Sequence, residues 1–172
     1  MPYNHMGEVL EEVRIWNTPV IGAYLLWRFT KGYTATHPSG DAPVALLHFV
    51  AVAILTSQQL STPVSNMRAD LPSYVRNFED SKSSDILLSI HERTKARLAY
   101  TLKAIDIAVA QGLLFWDTET AQLYPKSELK KPARGNALKS IHGQNGKKAE
   151  ILGNWFGKQD LASIANYLKI VF

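Results

Sequence analysis

The sequence predicts a mainly α-helical domain that carries a winged-helix-like unit, in which a helix is followed directly by a β-hairpin. Long segments of the chain place apolar residues three to four positions apart, which is the pattern of amphipathic helices. One of these segments is followed by two short runs of strand-forming residues with a turn between them. The 172 residues fit one domain, and a hydrophobic fraction of 46% is enough for an ordinary packed core.

A group of N-terminal helices is expected within residues 14–80. Pro19 is suited to the first position of a helix, and Gly32 is suited to its end. Asp41 is the expected cap of a second helix, which runs through the strongly apolar residues 42–56. This apolar stretch is shorter than the roughly 20 residues that span a bilayer. We therefore expect a buried core helix and no contact with a membrane.

A long helix and a hairpin wing are expected within residues 84–125. The helix begins near Ser84 and ends at Gly112, and its pattern leaves open a division into two helices near His91. A helix with one apolar stripe packs that stripe against the core. The predicted buried stripe contains Leu98, Leu102, Ile105, Ala108 and Val109.

Two short runs directly after this helix predict the β-hairpin. Residues 113–116 and 121–124 are rich in strand-forming side chains, and a polar turn separates them. A helix followed by a hairpin is the wing end of a winged-helix unit, so the pattern predicts that architecture. Two C-terminal helices are expected within residues 147–172, with Asp160 as the cap of the second.

Positive charge is concentrated in one segment, which includes a predicted basic loop over residues 126–146. Between positions 126 and 148 there are seven cations and one anion, Glu128, whereas the rest of the chain has a net charge of −2. A concentrated positive patch is the expected footprint of a contact with nucleic acid or with an acidic protein surface. The alternative is a solvated loop whose lysines only maintain solubility. The candidate contact residues are Lys126, Lys130, Lys131, Arg134, Lys139, Lys147 and Lys148.

No catalytic, cofactor-binding or metal-binding residues can be assigned from the sequence. The chain has no cysteine, which excludes disulfides and thiolate metal sites. Its five histidines show no HExxH or HxH spacing, and there is no P-loop or GxSxG motif. His48, in the apolar helix, is expected to be a hydrogen-bonded core residue. Because the start of the chain lacks the pattern of a secretion signal, the expected compartment is the cytoplasm.

Three blocks of the N-terminal part are distinctive: NTPVIGAYLLWRF at residues 17–29, KGY at 31–33, and APVALLHF at 42–49. Together they resemble the middle component of the three-component ABC systems of bacteria and archaea. The helix-to-hairpin junction at Gly112-Leu113-Leu114 is similar to the same family. The resemblance extends over most of the chain and is best over residues 14–56.

The resemblance implies a small adaptor protein with no enzymatic activity and no cofactor. It implies two protein partners, an SMC/Rad50-like ABC ATPase and a variable effector. The complex that it implies defends prokaryotes against phage or plasmids. A homo-oligomer and a DNA contact through the basic segment are both compatible with this role.

Aromatic and arginine side chains in the first helix are candidates for binding such partners, because these residue types dominate interface energetics. Arg28 and Tyr33 are the candidate interface residues, whereas Trp27 and Phe29 are expected in the core. The adaptor role is the leading hypothesis. The alternatives are a stand-alone winged-helix DNA-binding regulator and, third, a hydrolase whose site is assembled from scattered residues.

Overall fold

The computed structural model describes residues 18–126 and 140–172. Strands β1 (Leu114–Asp117) and β2 (Gln122–Pro125) form an antiparallel hairpin within a set of helices. This confirms the predicted mainly α-helical fold with a hairpin. Across these two ranges, every helix is too short or too polar to cross a membrane. The helices are α1 (Pro19–Thr36), α2 (Ala45–Leu55), α3 (Gln58–Ser61), α4 (Leu71–Asp80), α5 (Ser84–Leu88), α6 (Ile90–Ala96), α7 (Leu98–Ala110), α8 (Ser140–Gly157) and α9 (Leu161–Leu168).

Helices α1 and α8 cross so closely that their backbones touch, because glycines lie at the contact points. A Cβ atom on Gly153 would overlap the carbonyl oxygen of Phe29, and a Cβ on Gly32 would overlap the carbonyl oxygen of Glu150. Gly32 was predicted to end the first helix, and that prediction is wrong because α1 continues to Thr36. The glycine instead makes room for the backbone of α8.

Further contacts hold the same crossing at both of its ends. At one end, Thr36 Oγ1 donates toward the carbonyl oxygen of Asn154 at 3.1 Å. At the other end, Gly146 packs beneath Tyr24, where an added Cβ would lie 2.6 Å from the tyrosine hydroxyl oxygen. From Gly146 to Gly157 the close contact therefore follows α8 for about 16 Å.

Helix α8 begins at Ser140, well before the Lys147 predicted from the sequence. The predicted basic loop over 126–146 is therefore wrong from Ser140 onward. Gly143 and Gly146 favoured a loop because glycine weakens helices. The structure places both inside α8, where Gly146 is needed for close packing and Gly143 has open space around it.

The apolar side chains form two clusters that share α1 and α2. The larger cluster also includes side chains of α4, α8 and α9, and in it the Phe29 ring meets the Phe156 ring edge-on at 5.6 Å. The smaller cluster joins α1 and α2 to α7 and the hairpin, through residues such as Leu26, Ile105 and Leu114. Helix α2 is buried along most of its length, which confirms the predicted core helix.

The backbone before α2 is held against the hairpin. Val44 forms an antiparallel bridge with Gln122, so that three extended segments lie in the order 44, β2, β1. The predicted cap Asp41 is wrong, since α2 begins only at Ala45, after this extended segment. Two backbone hydrogen bonds flank the bridge: Ala45 N–H to the Ala121 carbonyl at 2.7 Å and Leu123 N–H to the Pro43 carbonyl at 3.1 Å.

The hairpin lies one residue further along the chain than predicted. Its turn is held by Asp117, whose Oδ1 accepts hydrogen bonds from the backbone N–H of Glu119 at 3.0 Å and of Thr120 at 3.4 Å. Ala121 closes the turn in the left-handed conformation, with φ at 56°. The turn residues therefore determine where β2 starts.

The predicted long helix is divided into α5, α6 and α7 by breaks at Ser89 and Arg97. Gly112 ends the last of these helices with φ at +70°, in the left-handed region that favours glycine, and this prediction is confirmed. Asp160 is also confirmed as a helix cap, because its Oδ1 accepts a hydrogen bond from Ser163 N–H at 2.7 Å.

The predicted buried stripe of α7 is only partly correct. Ile105 and Ala108 are buried, but Leu98, Leu102 and Val109 are 51%, 46% and 38% exposed, and the prediction is wrong for these three. Helix α7 turns a different side toward α1 and the hairpin. The buried residues of that side are Thr101, Ala104, Ile105 and Ala108.

A polar pair lies in the core between α1 and α2. Thr30 Oγ1 is 2.8 Å from His48 Nε2, and His48 Nδ1 is 3.2 Å from the carbonyl oxygen of Val44. Both side chains are fully buried, so the predicted hydrogen-bonded core histidine is confirmed. Burial lowers the pKa of His48 to about 4, because desolvation favours the neutral ring, while the bond to Val44 acts in the opposite direction.

The glycine contact yields a prediction about packing. Replacing Gly153 with Ala should lower the free energy of unfolding by about 3 kcal/mol, because the new methyl group meets the α1 backbone, which cannot move aside like a side chain. Urea denaturation followed by circular dichroism measures this change.

The matched control is Gly143→Ala on the same helix. Nothing lies within 4 Å of an added Cβ at Gly143, so this change should stabilise the protein by about 0.5–1 kcal/mol through helix propensity alone. Equal effects of the two substitutions would show that the backbone contact is not what makes Gly153 necessary.

The buried His48 yields a prediction about pH. Its pKa is lower in the folded state than the ordinary value of 6.5, so the unfolded chain takes up the proton first as pH falls. The free energy of unfolding should therefore decrease between pH 6.5 and about 4, by about 3 kcal/mol from this residue. Denaturation at several pH values should show a shallower decrease for His48→Gln, and an equally steep one would refute the assignment.

Candidate functional site

Four of the seven predicted basic contact residues, Lys130, Lys131, Arg134 and Lys139, lie outside the described residues. Among the other three, Lys126 and Lys147 are exposed. Lys126 directly follows β2, and its backbone N–H donates to the Leu113 carbonyl at 2.9 Å, which extends the hairpin ladder by one bond. Its side chain therefore starts from a fixed position on the base of the hairpin.

The structure gives Lys148 a role inside the protein. Its Nζ donates to the carbonyl oxygen of Ser61 at 2.8 Å and lies 3.4 Å from that of Thr62. These carbonyls are at the end of α3, so the lysine ties α8 to that end. Partial burial lowers the pKa of the Lys148 ammonium group. Among the candidate cations, this one already has partners in the chain.

Arg28, a candidate interface residue, joins α1 to α8. Its Nε and NH2 atoms both contact Glu150 Oε2, at 2.9 Å and 2.7 Å. Its NH1 atom donates to the hydroxyl oxygen of Tyr24 at 3.1 Å. The guanidinium group is therefore held by two side chains of its own protein, and it reinforces the glycine contact between the two helices.

Tyr33, the second candidate interface residue, is only 8% exposed and belongs to the larger core cluster. Its ring stacks on His37 with 5.5 Å between centroids and tilts against Phe29 at 6.5 Å. Burial raises the pKa of its phenol, and the nearby Asp41 carboxylate adds to the effect. Trp27 and Phe29 are buried as expected. These aromatic residues of α1 thus pack in the core of the protein.

The structure exposes other large apolar side chains. Phe115 on β1 is 52% exposed and lies opposite Tyr124 on β2, so that the outer face of the hairpin carries an aromatic pair. On α7, Leu98, Leu102 and Val109 are exposed together on one side. Clustered exposed apolar residues mark sites of protein interaction. Sequence periodicity could not separate them from core residues, because both kinds follow the same spacing.

In the part of the chain that the structure describes, no group of three or more His, Asp or Glu side chains is placed to hold a metal ion. The electrostatic features there are local. Among the predicted contact residues they are the Arg28–Glu150 pair, the Lys148 contact with α3, and the exposed Lys126 and Lys147. These groups are dispersed over α1, α8 and the hairpin, and the apolar surfaces are the better candidates for a functional site.

Comparison with known proteins identifies the family. A search of curated proteins and a search of solved structures each found no match. A family model described as ABC-three component (ABC-3C) system Middle Component 3 matches residues 6–172. The match includes the N-terminal blocks, the hairpin and both C-terminal helices, and thus nearly the whole chain. The chain therefore belongs to the Middle Component 3 family of the ABC-three component systems.

Proposed function

We propose that this protein is a non-enzymatic adaptor that links an SMC-like ABC ATPase to an effector in a prokaryotic defence system against phage or plasmids. The observation that supports this proposal is the family match over residues 6–172, because a middle component belongs to a system with further components. On this proposal, nucleotide hydrolysis and effector activity reside in the partners, and the adaptor contributes binding surfaces.

The described surface supports such a role. An adaptor needs two separate contact areas on a rigid body, each with apolar or aromatic anchors. The outer face of the hairpin offers Phe115 and Tyr124, and the exposed side of α7 offers Leu98, Leu102 and Val109. The tight α1–α8 crossing supplies the rigid body.

The adaptor proposal is tested by co-expressing the protein with the ATPase and the effector that are encoded beside its gene. A tagged middle component should retain both partners through affinity and size-exclusion chromatography. If it elutes alone from cells that contain both partners, the proposal is wrong.

A point substitution sharpens this test at the hairpin. Phe115→Glu places a charge on the exposed aromatic surface and should weaken one of the two complexes by about tenfold. The control is Thr118→Glu, which adds the same charge at the exposed turn of the same hairpin. Biolayer interferometry with each purified partner measures both variants. Equal binding by both variants and the wild type would exclude the hairpin face as a partner site.

A second candidate function is DNA binding through a winged-helix unit. The hairpin directly follows α7, and the extended backbone at residue 44 pairs with β2, so that the three segments lie in the order 44, β2, β1. This arrangement favours the second candidate, because a short third strand beside the wing hairpin is typical of winged-helix proteins. The exposed Lys126 at the base of the hairpin and the concentrated charge that follows it would contact phosphates.

Charge reversal tests the DNA contact. In the variant Lys130→Glu, Lys131→Glu, Arg134→Glu, duplex binding measured by fluorescence anisotropy should weaken at least about tenfold, and its salt dependence should fall by about three counterions. The sequence leads us to expect that these three side chains are exposed, and the thermal midpoint should then stay within about 2 °C of the wild type, because exposed charges contribute little to folding. Unchanged affinity would refute the DNA contact, and a large loss of stability would show that the segment is structural.

A further inference from the structure

The loop between α1 and α2 is held by the imidazole ring of His37, the residue that caps the end of α1. Its Nδ1 atom accepts hydrogen bonds from the backbone N–H of Ser39 at 3.3 Å and of Asp41 at 3.2 Å. A backbone N–H can only donate, so Nδ1 must be unprotonated, and the neutral ring carries its proton on Nε2. The loop therefore keeps this arrangement only while the His37 ring is neutral.

The same loop also holds the β-hairpin in place. Directly after Asp41, the carbonyl oxygen of Ala42 accepts a hydrogen bond from Gln122 Nε2 at 2.9 Å. The next carbonyl oxygen, that of Pro43, accepts one from the Leu123 N–H at 3.1 Å. The amide that bonds the His37 ring is thus followed at once by the two carbonyls that bond β2. A rearrangement at the ring therefore reaches the hairpin through a very short stretch of backbone.

Tyr33 and Asp41 are the titratable side chains that the described residues bring into contact with the His37 ring. Tyr33 of α1 stacks on it, with 5.5 Å between the ring centroids, and Asp41 Oδ2 lies 3.9 Å from Nδ1. Burial raises the pKa of the Tyr33 phenol, so the charged group that meets the ring is the Asp41 carboxylate. A protonated ring donates at both nitrogens and is attracted to a carboxylate. Proton uptake therefore favours exchange of the two backbone partners for the side chain of Asp41.

We propose that His37 is a pH-sensitive latch, whose neutral ring fixes the loop that holds the hairpin and whose protonated ring releases it. On protonation the ring lets go of the Ser39 and Asp41 amides and turns to the Asp41 carboxylate, which loosens the backbone beside β2. Histidine side chains change charge between about pH 5 and 8, so the latch acts within that range. The hairpin carries the exposed Phe115, and acid therefore makes this surface less ordered. The latch does not depend on the adaptor role.

Amide NMR spectra of the full chain between about pH 8 and 5 test the latch directly. The Ser39 and Asp41 amide signals should shift with the same midpoint as the His37 ring. The protection of the Leu123 N–H from hydrogen exchange, corrected for the intrinsic effect of pH, should fall about fivefold as its hydrogen bond weakens. His48 does not interfere, because its pKa of about 4 lies below this range. Loop amides that do not follow the ring, or constant protection of Leu123, would overturn the proposal.

The variant His37→Asn assigns the pH response to this ring. An Asn side chain can still accept a hydrogen bond from the backbone N–H two residues further on, but it does not take up a proton in this range. Its Leu123 protection should therefore stay at the high-pH value throughout. The control is His91→Asn, which removes a histidine from α6 and should leave the wild-type response unchanged. A response that persists in His37→Asn would belong to another group and would refute the latch.

Discussion

The backbone contact between α1 and α8 is the constraint on which the rest of the structure depends. Gly32 and Gly153 allow the two helices to approach until carbonyl oxygens of one helix occupy the space where the other would carry a Cβ atom. At that separation Phe29 reaches Phe156, and Arg28 reaches Glu150. A wider crossing would separate both pairs at once. The absence of a side chain at these two glycines thus determines how the large side chains pack.

Because α8 takes one side of α1, the other side is free to organise the second half of the molecule. Gly22 lies against Ala104 and Tyr100, so α7 also approaches α1 closely, and Leu26 connects α1 to the cluster under the hairpin. The hairpin is anchored in turn by the bridge between Val44 and Gln122. The exposed faces of α7 and of the hairpin are therefore positioned by the same central helix, which is what the proposed adaptor role requires.

The sequence predicted what depends on neighbouring residues and missed what depends on distant ones. Pro19 begins a helix and Gly112 ends one because their own backbone preferences act locally. Gly32 was misread as a helix end, since the backbone that passes over it belongs to α8, more than a hundred residues later. The same reason applies to the candidate site. The sequence predicted Lys148 and Arg28 as contacts for a partner, whereas the fold gives them carbonyl and carboxylate partners from distant parts of the same chain.

The exposed leucines of α7 show that an apolar stripe along a helix does not always mark a buried face. A periodic apolar pattern indicates that a helix face is buried, but it does not say whether the covering surface belongs to the same chain. In α7, Ile105 is buried, whereas the described residues leave Leu98 and Leu102, on the neighbouring side of the same helix, about half exposed. One apolar pattern therefore contains both buried positions and positions that the described residues leave exposed. In a family defined by its place in a multi-component system, the excess of apolar residues over what the fold covers is the best physical guide to where contacts form.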